Sequence, residues 1–233
     1  MSQTALTGHN PSGIGTKPKE GVSIQSVFSS MPDFAIGALF IYTWLYPRAI
    51  EKNMVASLML VMLMEFIVIH SAGFMGNVAV SSMLKRKKVT TILGLGLFYT
   101  LFVAGFAAGF NVWWPIIAFW GLTFNRLLGL LTGQAQAGRE KILLQKSWAV
   151  GALFYLLFVF VTILLPIPRL GVTRSAVHGL YLGSGGVWVS QPHRVIAFGA
   201  MYFTSLAISE LISHRWLSES GLPKDKDNPF AKA

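Results

Sequence analysis

The chain has 233 residues, of which 53% are hydrophobic and only 12% charged, with a mean hydropathy of +0.57. Ordinary soluble domains carry about a quarter charged residues, so a soluble globular fold is excluded. A formal net charge of +10 would suit nucleic acid if the basic residues formed one patch, but they lie in short groups between apolar stretches and read as topology signals.

Residues 1–30 are rich in Gly, Ser, Thr and Lys without a long apolar core, which predicts a flexible tail and no cleavable signal. Six stretches then approach the ~20 apolar residues that cross about 30 Å of hydrocarbon. They lie near 33–49, 54–76, 89–111, 114–133, 147–166 and 195–215. They make up a membrane domain over 31–218, and 219–233 is expected as a second flexible tail. The fold class is all-α, a polytopic integral membrane helical bundle of about six transmembrane helices. The first stretch is the weakest, because Asp33 and Pro47 narrow it while Tyr42, Trp44 and Tyr46 suit an interface. Its loss would leave five spans.

The second stretch runs without a breaker toward Leu84, which predicts a helix projecting past the membrane to the cluster Lys85-Arg86-Lys87-Lys88. Gly105 and Gly109 in the third stretch and Gly129 and Gly133 in the fourth set small residues four apart. Such spacing permits close helix approach, and packing within the chain is expected ahead of a dimer face. Trp113-Trp114-Pro115 marks an interface and a helix start. The basic segment 134–146 is expected at the membrane surface as a helical turn or two, or as a plain connection.

The outer loop, 167–194, contains Leu180-Tyr181-Leu182, the turn Gly183-Ser184-Gly185-Gly186, then Val187-Trp188-Val189. This predicts a small β-hairpin or a folded-back loop. Its glycines lack the strand-to-helix frame and the Gly-Lys-Ser/Thr partner of a phosphate loop. Gln191-Pro192-His193-Arg194 introduces the last span, and Arg194 is placed to meet a lipid phosphate.

With six spans, Lys17, Lys19, Lys85 to Lys88, Arg139, Lys141, Lys146, Arg215, Lys224, Lys226 and Lys232 fall on one side. Arg48, Lys52, Arg169, Arg174 and Arg194 fall on the other. The basic excess places both termini in the cytoplasm, with a bacterial inner (cell) membrane as the expected location. A five-span arrangement would break this alternation.

Charges inside spans are costly unless paired, hydrated or used, so Glu65 and Arg126 are the leading candidates. Counted from Met54 and from Pro115, each lies eleven residues in, roughly 16 Å at ~1.5 Å per residue. The two are expected to meet near the midplane, as a structural ion pair or as a transport site in which Glu65 takes a proton or cation beside Arg126. Asn125 points about 100° away and is expected to reach a third helix.

Nearer the cytoplasmic face, His70 and Glu210 lie at similar depths, and the first expectation is a His70 bond to a backbone carbonyl with Glu210 reaching the interface. A proton relay from Glu65 through His70 and Glu210 is the alternative. His214 lies near the level of His70, so a b-type haem held by both histidines is the one cofactor the residues would permit, though two histidines do not demand it. His178 and His193 lack a carboxylate in the outer loop, so no metal site is expected.

No cysteine is present, which removes thiolate chemistry and disulfides. Neither a His-Glu-x-x-His pattern nor a Gly-x-Ser-x-Gly elbow occurs. An enzyme is therefore not the expected class. The expected partners are the lipid bilayer and a membrane-protein partner or a homo-oligomer, without nucleic acid. An accessory, assembly or anchoring subunit of a larger membrane complex is the first expectation, and a small proton-linked transporter or channel is the alternative.

Overall fold

The computed structural model describes residues 24–51, 53–132, 138–178 and 187–212. They form α1 (Ile24–Leu45), α2 (Met54–Val80), α3 (Lys85–Gly109), α4 (Trp114–Leu131), α5 (Gly138–Leu164), α6 (Arg174–Val177), α7 (Val187–Ser190) and α8 (Pro192–Leu211). Five of these, α2, α3, α4, α8 and the Gln145–Leu164 part of α5, are long and apolar enough to cross a membrane. In hydrocarbon every backbone N–H and C=O must be satisfied within the protein, and a helix does this locally.

α1 falls short of the other five in apolarity because its 22 residues include Pro32, Asp33 and several serines. It nonetheless lies along α8. The two run antiparallel, with Gly37 against Thr204 and Phe40 against Gly199. α5 runs antiparallel to α2 in the same way. Tyr155 and Trp148 of α5 bond the carbonyls of Met62 and Ile69 on α2, and Gly96 of α3 packs on Thr123 and Trp120 of α4.

α2 is the central helix. Val55, Leu58, Met59 and Met62 join one apolar cluster with Phe40, Tyr155, Ile196, Phe198 and Tyr202. Leu60, Met64, Ile67 and Met75 join another with Ile92, Tyr99, Val103 and Phe119. A helix that is apolar all round belongs inside, and its position lets α2 divide the bundle into an α1–α5–α8 half and an α3–α4 half. The outward faces of α3, α4 and α5 remain apolar, with Leu101, Ile117 and Leu164 exposed. That suits lipid contact, since hydrocarbon tails are as apolar as leucine.

Several expectations change. α2 stops at Val80, short of Leu84, because Ser81 turns to extended backbone (φ −67°, ψ 166°) and its hydroxyl donates to the Val78 carbonyl at 2.7 Å. The lysine cluster opens α3 instead of standing beyond α2. Lys85 Nζ donates to the Leu131 carbonyl at 2.9 Å and Lys88 Nζ to that of Ala79 at 2.8 Å. Two lysines thus cap the C-terminal ends of α4 and α2, where the exposed carbonyls favour a cation. Residues 138–146 are continuous with the spanning helix, not a separate interfacial turn; residues 133–137 lie outside the described ones.

The β-hairpin is not seen. Val187–Ser190, expected as its second limb, is a helical turn, and Trp188 packs on Phe198 with ring centroids 5.7 Å apart. The remainder of that hairpin, 179–186, lies outside the described residues, among which there is no strand. What does fold back is 165–178. Gly171 N–H donates to the Trp44 carbonyl at 2.9 Å, Trp44 Nε1 to that of Pro168 at 3.1 Å, and Arg48 to those of Ser175 and Ala176 at 2.7 and 2.9 Å. A Cβ on Gly171 would collide with the Leu45 carbonyl, so glycine is needed for this approach.

Arg194 also departs from expectation. Its side chain binds Gln191 Oε1 at 2.5 Å and the carbonyls of Thr162, Ile163 and Leu165. It closes the C-terminal end of α5 instead of pointing to lipid. Arg194→Ala should lower stability by about 2 kcal/mol, the order expected for bonds from a charged donor. Unfolding in detergent measures it; an unchanged transition would show that these carbonyls find other donors.

Candidate functional site

Glu65 sits on the α8 side of α2. Tyr202 of α8 donates its hydroxyl hydrogen to Glu65 Oε1 at 2.6 Å, a short, charge-assisted type of bond if the carboxyl is ionised. Tyr202 is fully buried and held by rings on three sides: Tyr155 at 5.7 Å, Phe198 at 6.2 Å and Phe203 at 5.0 Å between centroids. Tyr155 in turn donates to the Met62 carbonyl at 3.0 Å, one turn from Glu65. Gly151 of α5 lies beside the Tyr202 hydroxyl, and a Cβ there would meet it at 3.7 Å, an ordinary contact. The phenol is therefore aimed at the carboxyl by packing that leaves it little freedom.

Two further carboxyls face the same region. Asp33 of α1 lies within electrostatic reach of Glu65, Tyr202 and Glu210. Gly37 packs on Thr204, so one turn earlier on α1 and one turn later on α8 bring Asp33 to the level of Ile208, beside Glu210. Glu210 is half-buried, and its Oε2 is shielded from solvent without a hydrogen-bond partner among the described residues. From the level of Tyr202 to Glu210 is eight residues of α8, about 12 Å. Glu65, Asp33 and Glu210 thus make an acidic line from the middle of the bundle toward the Leu211 end of α8. No Lys or Arg among the described residues forms an ion pair with any of them.

Glu65 and Arg126 do not meet. Arg126 is half-buried, and its Nη1 lies 3.4 Å from both Ser71 Oγ and Met75 Sδ, six and ten residues further along α2 than Glu65. Counting both depths from the helix starts assumed that those starts are level. They are not, because α2 has 27 residues and α4 only 18, and the lysine bonds to Ala79 and Leu131 bring the two C-terminal ends level instead. Rotation separates the pair as well: Ser71 is about 120° around α2 from Glu65. Glu65→Gln and Arg126→Gln should then act additively on stability, with a coupling below about 0.5 kcal/mol in a double-mutant cycle. A coupling of several kcal/mol would mean that the two charges pair.

His70 and Glu210 are not brought together either. His70 is exposed, bonds the Phe66 carbonyl through Nδ1 at 2.9 Å and lies against the Phe66 ring at 4.1 Å; it is about 140° around α2 from Glu65. His214, its expected haem partner, lies outside the described residues. Asn125 is exposed on α4 and hydrogen-bonds to no third helix among the described residues. His178 is exposed and His193, at the start of α8, is buried, and no three His, Asp or Glu among the described residues converge on a common point.

Asp33, Tyr155 and Tyr202 were not anticipated. An aspartate in an otherwise apolar stretch is itself a sign of use, and it was available for Asp33. Comparison with protein families, with curated proteins and with solved structures finds no match to the chain.

Proposed function

We propose that this integral membrane protein is a small proton-linked transporter or channel in which Glu65 exchanges the proton, Tyr202 orients its carboxyl, and Asp33 and Glu210 continue the route to the cytoplasmic side. The observation that carries this reading is the bond from a buried phenol to a mid-bundle carboxyl beside which no cation of the described residues lies. A charge used only for helix registration is neutralised by its partner; Glu65 instead has a hydrogen-bonding neighbour and further acids in line. Proton relays in membranes are built from such chains of acids. An accessory-subunit reading rests on the small size of the chain and its lack of catalytic motifs; the acidic line beside Tyr202 is what favours transport over it.

Purified protein in lipid vesicles holding a pH-sensitive dye, with a potassium-driven membrane potential, tests the reading. The expected result is proton entry well above that of protein-free vesicles. Entry equal to the protein-free rate would overturn proton movement through this chain.

A further inference from the structure

The side of α4 turned away from the bundle carries Gly121, Asn125 and Gly129, four residues apart and so in one row along the helix. The buried side is Pro115, Phe119, Thr123 and Leu127, and at 100° per residue Asn125 points almost opposite to it. Asn125 is exposed, makes no hydrogen bond to another described residue, and is bordered by exposed Phe124 and Leu128. It lies about 9 Å from the Leu131 end of α4 and about 16 Å from the Trp114 end, within the hydrocarbon depth of a crossing helix.

A carboxamide there presents two donors and an acceptor oxygen to a medium that can satisfy neither. A second carboxamide is its natural complement, because each supplies what the other lacks. Space for one is also present. Beyond its chain neighbours and the backbone of α4 itself, a Cβ at Gly121 or Gly129 would meet no atom of the described residues within 4 Å, so a neighbouring helix can come close one turn above and one turn below the amide. Copies inserted in the same orientation are related by a twofold axis along the membrane normal, which puts equal residues at equal depth. We propose that α4 is the interface of a homodimer, with Asn125 donating to and accepting from the partner's Asn125 while Gly121 and Gly129 let the two helices approach. This is independent of the proton reading, since the face lies on the far side of α4 from Glu65.

The chain has no cysteine, so single-cysteine variants give an unambiguous test in native membranes. Asn125→Cys and Gly121→Cys, the second of which keeps the amide, should form disulfide-linked dimers of twice the chain mass under mild oxidation. Leu157→Cys on the exposed side of α5 serves as control and should crosslink roughly tenfold less, in line with a specific interhelical contact. Asn125→Leu, which removes no hydrogen bond among the described residues, should raise the dimer dissociation constant in detergent roughly tenfold. Equal crosslinking at all three positions, a product with another protein in place of the dimer, or a dimer indifferent to Asn125→Leu would each overturn the proposal.

Discussion

Glu65→Gln leaves the protein folded and reduces proton entry into vesicles to the protein-free rate. Glutamine has nearly the shape of glutamic acid and keeps an amide oxygen to accept from Tyr202, so the 2.6 Å bond and the surrounding rings stay in place. What it cannot do is release or take up a proton at that atom. Where a single carboxyl carries the exchange, this substitution costs at least about a hundredfold, the scale on which a positioned acid or base acts. Stability should move by less than about 1 kcal/mol, as for a substitution that opens no cavity and orphans no buried group. Glu65→Asp should retain part of the flux, because the acid remains but its shorter side chain no longer reaches the phenol. Flux that persists undiminished in Glu65→Gln, with the melting transition intact, would remove Glu65 from the route.

Gly199→Leu should break the seam between α1 and α8. Phe40 is fully buried and stacks on Phe203 with centroids 5.6 Å apart, and its ring fills the space where any side chain at position 199 would begin. Overpacking a dense core commonly costs about 1–3 kcal/mol. Here the obstacle is a ring edge already overlapping the Cβ position, so α1 must shift away from α8, and the cost should reach or exceed the upper figure. Because α1 carries Asp33, the shift should also disturb the acidic line and lower proton flux. Adding Phe40→Ala opens room for the leucine and should recover part of the stability. A Gly199→Leu protein with an unchanged melting transition would contradict the close packing described for this seam.

The helices themselves were legible, and for a physical reason. Hydrocarbon forces the chain into locally hydrogen-bonded segments of defined length, so hydropathy alone finds them; the predicted starts of the second and fourth stretches coincide with Met54 and Trp114. The exception is α1, which begins at Ile24 inside the expected tail 1–30 and is not among the five helices apolar enough to cross a membrane. Rotation and relative height were not legible. Glu65 and Arg126 are the same number of residues from their helix starts, yet α4 is shorter and set toward the lysine end, and the two side chains face different neighbours. The hydropathy of α2 is nearly uniform around its axis, with its exposed face also carrying large apolar residues such as Phe66 and Phe74, so nothing in its pattern says which face Glu65 occupies. By sequence Asp33 only narrows a weak span, yet in the structure it is one of three acids in line. Arg194 was read as a lipid contact, although the free carbonyls at the end of α5 are nearer and equally in need of a donor.

The most direct test of the central claim is the infrared carboxyl band of the reconstituted protein followed while the pH is stepped across the neutral range, with Glu65→Gln alongside. The account predicts a protonated-carboxyl stretch in the wild type that changes with pH and is absent from the variant. A spectrum identical in the two proteins would mean that Glu65 exchanges no proton, and the proposed function would fall with it.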